Sequence, residues 1–155
     1  MPEEERSAYP GVPIFDYDPA VRTTGLVEPA EPETLEIGAS DGGAYRFTRF
    51  AVVRFELGDA PLSLDAYWLE GYGGGLFLPF RDATAGRETY GAGRYLMDTV
   101  KGSDLGATAD GRLVLDFNFA YNPSCSYDPR WSCPLAPPAN RLSVEIRAGE
   151  RNAAT

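Results

Sequence analysis

The sequence predicts an all-β chain, a single-domain antiparallel barrel or sandwich of about eight to ten strands with long ordered loops. Three observations predict it. Apolar residues recur at period two in several windows, and nowhere do they hold a 3.6 period over the roughly ten residues a helix needs. Glycine and proline, 17 and 13 of 155 residues, punctuate the chain at short intervals, as strand-turn architectures require. At this length a 43% apolar content is enough to bury one core.

The elements follow in order. Six prolines fall among acidic residues in the first forty positions, so this stretch reads as an extended arm with short strand pieces. Residues 1–10 are the part expected to be a disordered arm. VRTTGLV at 21–27 and TLEIGA at 34–39 read as two strands separated by an EPAEP turn. From Ala44 to Leu57 the odd positions Tyr45, Phe47, Ala51, Val53, Phe55 and Leu57 are apolar and the even ones mostly polar, with a break at Arg49 and Phe50 that suits a bulge. LGDAP then turns the chain into Leu62, Leu64, Ala66 and Trp68 at period two, which makes the pair a β-hairpin. LFLPF at 76–80 follows a run of glycines, and RYLM at 94–97 and RLVLDFNFAY at 112–121 supply further strands. RLSVEIR at 141–147 is expected to close the sheet.

Charge and composition exclude several functions. Residues 1–41 hold ten acids and two arginines, whereas the remaining residues hold thirteen acids and twelve bases. The body is therefore nearly neutral, and no basic patch invites nucleic acid. No apolar run approaches the roughly 20 residues of a membrane-spanning helix, so no membrane partner is expected. The amino terminus MPEEERSAYPG carries acids where a secretory signal carries positive charge, which points to the cytoplasm. The chain has no histidine, which removes Ser-His-Asp and Cys-His catalysis and every His-ligated zinc site. Lys101 is the only lysine and lies in the turn-like KGSDLG.

Three segments concentrate polar groups. PFRDATAGRETYGAGRYL, from Pro79 to Leu96, brings Arg81, Asp82, Thr84, Glu88, Tyr90 and Arg94 together among glycines. Its GAG is not followed by a helix, so a phosphate-cradling loop is rejected. The bland alternative is an ordered loop locked by Arg-Asp and Arg-Glu pairs. In LDFNFAYN, strand alternation would put Leu115, Phe117, Phe119 and Tyr121 on one face and Asp116, Asn118 and Asn122 on the other, as a solvated face or a pocket lining. In PSCSYDPRWSCPLAPPAN, Cys125 and Cys133 flank a proline-rich loop containing Trp131. Two thiolates without histidine make an incomplete zinc site, so no metal is expected. In the cytoplasm a stable disulfide is disfavoured, and the plain reading is a reduced thiol pair packing the loop.

These segments resemble the bacterial and archaeal domain of unknown function numbered 1684. The resemblance runs through PFRDxTxGxETYGAGRYL and LDFNxAYNPxCxYxPxxxCPLxPxxNRLxVxIRAGE, covering Pro79 to Leu96 and Leu115 to Glu150 here. Phe119 departs from it, since a basic residue is commoner there. The family brings no assigned activity or cofactor. The resemblance does imply that Arg81, Asp82, Thr84, Glu88, Tyr90, Arg94, Asp116, Asn118, Tyr121, Asn122, Cys125, Cys133 and Asn140 form one constellation.

Three functions are compatible with these residues. The leading one is a small-molecule binding domain in which Arg81 or Arg94 meets an anionic group while Tyr90, Tyr121 and Trp131 supply apolar walls and Thr84, Asn118, Asn122 and Asn140 fix orientation. The second is a histidine-independent hydrolase using Asp82, Glu88 or Asp116 as general acid or base. A carboxylate pair facing one cavity would favour that reading, and carboxylates each tied to an arginine in the loop would sink it. The third is a protein-interaction module that docks through its acidic leading segment.

Overall fold

The structure, a computed structural model, describes residues 13–69, 76–98, 112–127 and 132–152. The amino-terminal arm at 1–10, Lys101 and Trp131 lie outside the described residues. Six strands form one antiparallel sheet: β1 (Arg22–Gly38), β2 (Ala44–Leu57), β3 (Ala60–Leu69), β4 (Leu76–Phe80), β5 (Arg94–Asp98) and β6 (Leu113–Asp116). The spatial order is β5-β4-β3-β2-β1-β6. The only helical pieces among the described residues are 3-10 turns, and none is long and apolar enough to cross a membrane.

The sheet curls into a half-barrel whose two edges nearly meet. Just after β6 the chain reaches β5 at the far edge, where Tyr95 N–H donates to Tyr121 O at 2.9 Å and Tyr121 N–H donates to Tyr95 O at 3.0 Å. That exchange satisfies part of an otherwise exposed strand edge.

Among the described residues the strands number six against the expected eight to ten, and three sequence readings account for part of the difference. VRTTGLV and TLEIGA are one strand, because the EPAEP stretch is absorbed as an irregularity between Pro29 and Glu33. RLVLDFNFAY is a strand only to Asp116, whose carboxylate accepts from Asn118 N–H at 3.0 Å and caps a 3-10 turn, Phe117–Phe119. Such side-chain capping competes directly with the strand ladder. Period-two alternation therefore fails there: Phe117 is fully buried whereas Phe119 is 60% exposed. RLSVEIR is not a strand either. It enters irregularly and plugs the half-barrel, where Leu142, Ile146 and Ala148 join the core of Val53, Leu64, Leu78, Phe80, Leu96 and Leu115.

The bulge expected at Arg49 and Phe50 is present and changes faces. β2 advances from Arg49 to Ala51 while β3 moves only from Tyr67 to Ala66, so the apolar set crosses the sheet. On one side of the bulge Ala51, Val53 and Phe55 face the main core. On the other, Phe47 joins Tyr67, Phe77, Tyr95 and Ile37 in a second, aromatic cluster, where the Phe47 and Phe77 rings stack at 4.9 Å. The chain after β6 covers this second face: Tyr95 O–H donates to Pro134 O at 2.6 Å and Tyr45 O–H to Ser132 O at 3.0 Å. β4 is thus buried on both sides, which is why LFLPF is apolar throughout.

Gly149 shows how tightly the plug is seated. Its φ is +74°, and a Cβ there would lie 2.6 Å from Ala120 O. Only glycine fits both the backbone and the space.

Candidate functional site

The expected constellation resolves into separate polar clusters, most of which hold the fold. Arg94 leads β5 with its side chain on the same face as Leu96, pointing into the core. Its guanidinium meets Asp82 at 3.4 Å and donates to the carbonyls of Ile146 at 3.0 Å, Glu150 at 3.1 Å and Ala148, while lying over the Phe80 ring. The plug is not a strand, so the carbonyls of Ile146, Ala148 and Glu150 take their donors from Arg94 rather than from a ladder. Burial pulls the guanidinium below its ordinary pKa and Asp82 opposes that pull. Asp82 also accepts from Ile146 N–H at 2.6 Å and from the Thr84 hydroxyl at 2.7 Å, and Thr84 in turn pairs with Thr89 at 2.9 Å. Arg94 and Thr84, expected to contact a ligand, are instead sealed in the core.

Asn140 is likewise sealed. Its amide donates to Asp65 O at 2.9 Å and Pro79 O at 2.8 Å, and its carbonyl accepts from Tyr67 O–H at 3.1 Å. Arg81 joins the same region through its backbone, donating to Asn140 O at 3.0 Å and accepting from Leu142 N–H at 2.8 Å. Asn118 exchanges two 2.8 Å hydrogen bonds with the backbone of Asp18 and so fastens the chain entering β1.

The three carboxylates offered as general acid or base each meet an arginine. Asp82 meets Arg94 at 3.4 Å, Glu88 meets Arg147 at 3.0 Å and Asp116 meets Arg22 at 3.6 Å. Of these arginines Arg94 belongs to the 79–96 segment, whereas Arg147 lies in the plug and Arg22 begins β1. Among the described residues, no three of the Cys, Asp and Glu side chains stand together so as to hold a metal ion.

A second group lies around the loop after β6. Tyr121 packs edge-on against Tyr95 at 5.7 Å, and the Asn122 amide donates to Tyr127 O–H at 3.1 Å and Arg151 O at 2.9 Å. Asn122 N–H and Tyr127 O–H both donate to one Glu150 carboxylate oxygen, at 2.7 and 2.9 Å. The half-buried Tyr90 hydroxyl lies 3.6 Å from Cys125 Sγ, and its pKa is pushed up to about 12, first by burial and then by the thiol beside it. Cys125 and Cys133 are buried and present as thiols.

Among the described residues an accessible concavity lies elsewhere. β1 pairs with β6 from Arg22 to Gly25 and joins β2 only from Leu26, which faces Arg54. The end of β2, from Phe55 to Leu57, therefore keeps β3 on one side and has no β1 partner on the other. Where the strands part, a cleft of about 640 Å³ opens. Phe55, Leu62 and Pro61 supply apolar wall, and Thr23, Thr24, Ser63, Glu56, Arg54 and Arg112 supply polar groups. Glu28 holds Arg54 through Nε at 2.6 Å, which fixes the plane of the guanidinium. None of the residues singled out from the sequence lines this cleft. Thr23 and Thr24 read only as part of the strand VRTTGLV, Arg54 only as the polar half of strand alternation, and Arg112 only as a strand's first residue. The cleft arises because β1 exchanges one partner for another distant in sequence, and no local pattern records that exchange.

The profile of the family described as "Protein of unknown function (DUF1684)" matches residues 7–151. The fold is similar to the solution NMR structure of an uncharacterized protein from Haloarcula marismortui, with 37% identity and a TM-score of 0.70. That similarity covers 97% of this chain and 81% of the other. No curated protein matches the chain.

Proposed function

The chain belongs to the DUF1684 family of proteins of unknown function, and from that premise we propose that it binds a small anionic molecule with an apolar body, in the cleft where β1 parts from β2. The observation that carries this reading is the composition of the cleft. Two arginines stand beside an apolar wall, with threonine and serine hydroxyls from two strands within the same space. A few polar groups over an apolar surface are what a small-molecule site needs, and the volume is in the usual range. Arg54 and Arg112 place two guanidinium groups in the lining, the groups that bind a carboxylate or phosphate in a planar fork. Because Glu28 already orients Arg54, less side-chain entropy is lost on binding.

The expectation of an anionic ligand is kept and its place is moved. Arg94 is sealed in the core on Asp82 and three carbonyls, whereas Arg54, held by Glu28 through Nε, is exposed.

A thermal-shift screen of the full chain against small carboxylates and phosphates tests the proposal. A ligand at 100 times its dissociation constant adds about 2.7 kcal/mol of stability, several degrees for a domain of this size. Arg54→Gln and Arg112→Gln each remove a charge-assisted hydrogen bond and weaken binding about tenfold or more. Equal affinity in both variants would overturn the assignment.

A further inference from the structure

We propose that Cys125 and Cys133 are an oxidisable thiol pair that closes to a disulfide and staples the loop after β6 onto the sheet. The argument begins with their placement. The two residues are eight positions apart, yet Cys125 N–H donates to Cys133 Sγ at 3.3 Å. That contact brings the Cys133 sulfur within about 5 Å of Cys125 Cα, given an N–Cα bond of about 1.5 Å. Disulfide Cα···Cα separations run from about 4.4 to 6.8 Å, and a sulfur this close to the Cys125 backbone is compatible with that range once the two side chains turn toward each other.

The surroundings differ at the two ends. Cys133 is anchored to the sheet: its carbonyl accepts from Ser40 N–H at 3.0 Å and its N–H donates to Ser40 Oγ at 3.1 Å, just past the end of β1. Cys125 lies on a 3-10 turn, Ser124–Ser126, beside the Tyr90 hydroxyl. A bond between the sulfurs would thus join the turn that touches Tyr90 to a segment fastened at β1. It would also close a short loop, which removes freedom from the unfolded chain.

The chemistry balances with a hydroperoxide as oxidant. The Cys133 sulfur accepts the Cys125 N–H at 3.3 Å, which holds it beside its partner. The Cys133 thiolate attacks the outer oxygen of the hydroperoxide, breaking the O–O bond, releasing an alcohol or water and leaving a sulfenic acid. Cys125 then attacks that sulfur, water leaves, and the disulfide forms. Two thiols are oxidised by two electrons, and the peroxide bond is reduced by two.

The test uses the full reduced chain and hydrogen peroxide, read by intact mass, by peptide mapping and by thermal unfolding. The proposal expects loss of two hydrogen atoms, a Cys125–Cys133 crosslinked peptide and a midpoint raised by several degrees, all reversed by dithiothreitol. Cys125→Ser halts at a sulfenic acid that dimedone traps on Cys133. Three results would overturn it, each readable on the unsubstituted chain: oxygen added to either sulfur with no crosslink, disulfides formed only between chains, or thiols untouched at a peroxide dose that oxidises the same chain unfolded in guanidinium. A crosslink without any rise in midpoint would remove the stapling role.

Discussion

Asp82 and Arg94 face each other at 3.4 Å with side chains 1% and 0% exposed, so the most buried cation of the described chain meets a carboxylate from the loop that leads into its own strand. The pair exists because of the plug. Residues 141–150 cross the core without joining the sheet, and their backbone is satisfied partly by other backbone, as where Leu142 N–H donates to Arg81 O, and partly by buried side chains. Arg94 faces three of their carbonyls while Asp82 takes the N–H of Ile146. Ion pair and backbone donors together fix how the plug sits in the half-barrel.

Arg94→Met therefore costs about 3 kcal/mol or more, because it leaves the Asp82 charge and several carbonyls buried without donors. Arg94→Lys recovers only part of that loss, since an ammonium lacks the planar fork that spans them. Urea unfolding monitored by tryptophan fluorescence measures both. A loss below about 1 kcal/mol for Arg94→Met, within the range of an exposed pair, would mean that the pair does not hold the plug.

Gly149→Ala places a Cβ 2.6 Å from Ala120 O and 2.8 Å from Phe117 O in a backbone with φ +74°. Strain and collision together cost about 3 kcal/mol, read by the same unfolding experiment. A neutral substitution would show that the plug shifts freely.

Much of the sheet was legible because its signals are local. β2 and β3 follow from period-two alternation and one glycine turn, and even the bulge showed as a break at Arg49 and Phe50. What the break could not reveal is its effect, which depends on β3 advancing a single residue opposite two. The plug was misread for a related reason. RLSVEIR has good strand alternation, but a strand also needs a partner, and Arg94 and Asp82 take the backbone groups that a partner would have used. Of the candidate site, the sequence correctly marked polar residues that depart from strand grammar. Conspicuous polarity inside an apolar segment signals buried hydrogen bonding at least as often as ligand contact, as Asn140 and Thr84 show.

Stability falls in alkali through identifiable groups. The Tyr90 phenol is raised from 10.0 to about 12, first by burial and then by Cys125, and burial raises Tyr67 too, with Asp65 adding to it. A phenol with a raised folded pKa contributes stability that is complete below its ordinary value and is lost as pH climbs through the folded one. For Tyr90 the loss runs between pH 10.0 and about 12. Tyr90→Phe keeps the ring and removes the titration, so its urea midpoint declines less steeply over that window. An unchanged slope would remove Tyr90 from the account.

The central claim is that a ligand enters between β1 and β2. Amide chemical-shift mapping by NMR with the tightest-binding small anion tests it most directly. The account predicts that the largest shifts fall on Thr23, Thr24, Phe55 and Ser63, with Tyr90, Asn122 and Asn140 unmoved. Shifts centred instead on Tyr90, Asn122 and the Cys125 turn would contradict it and return the site to the segments that the sequence first singled out.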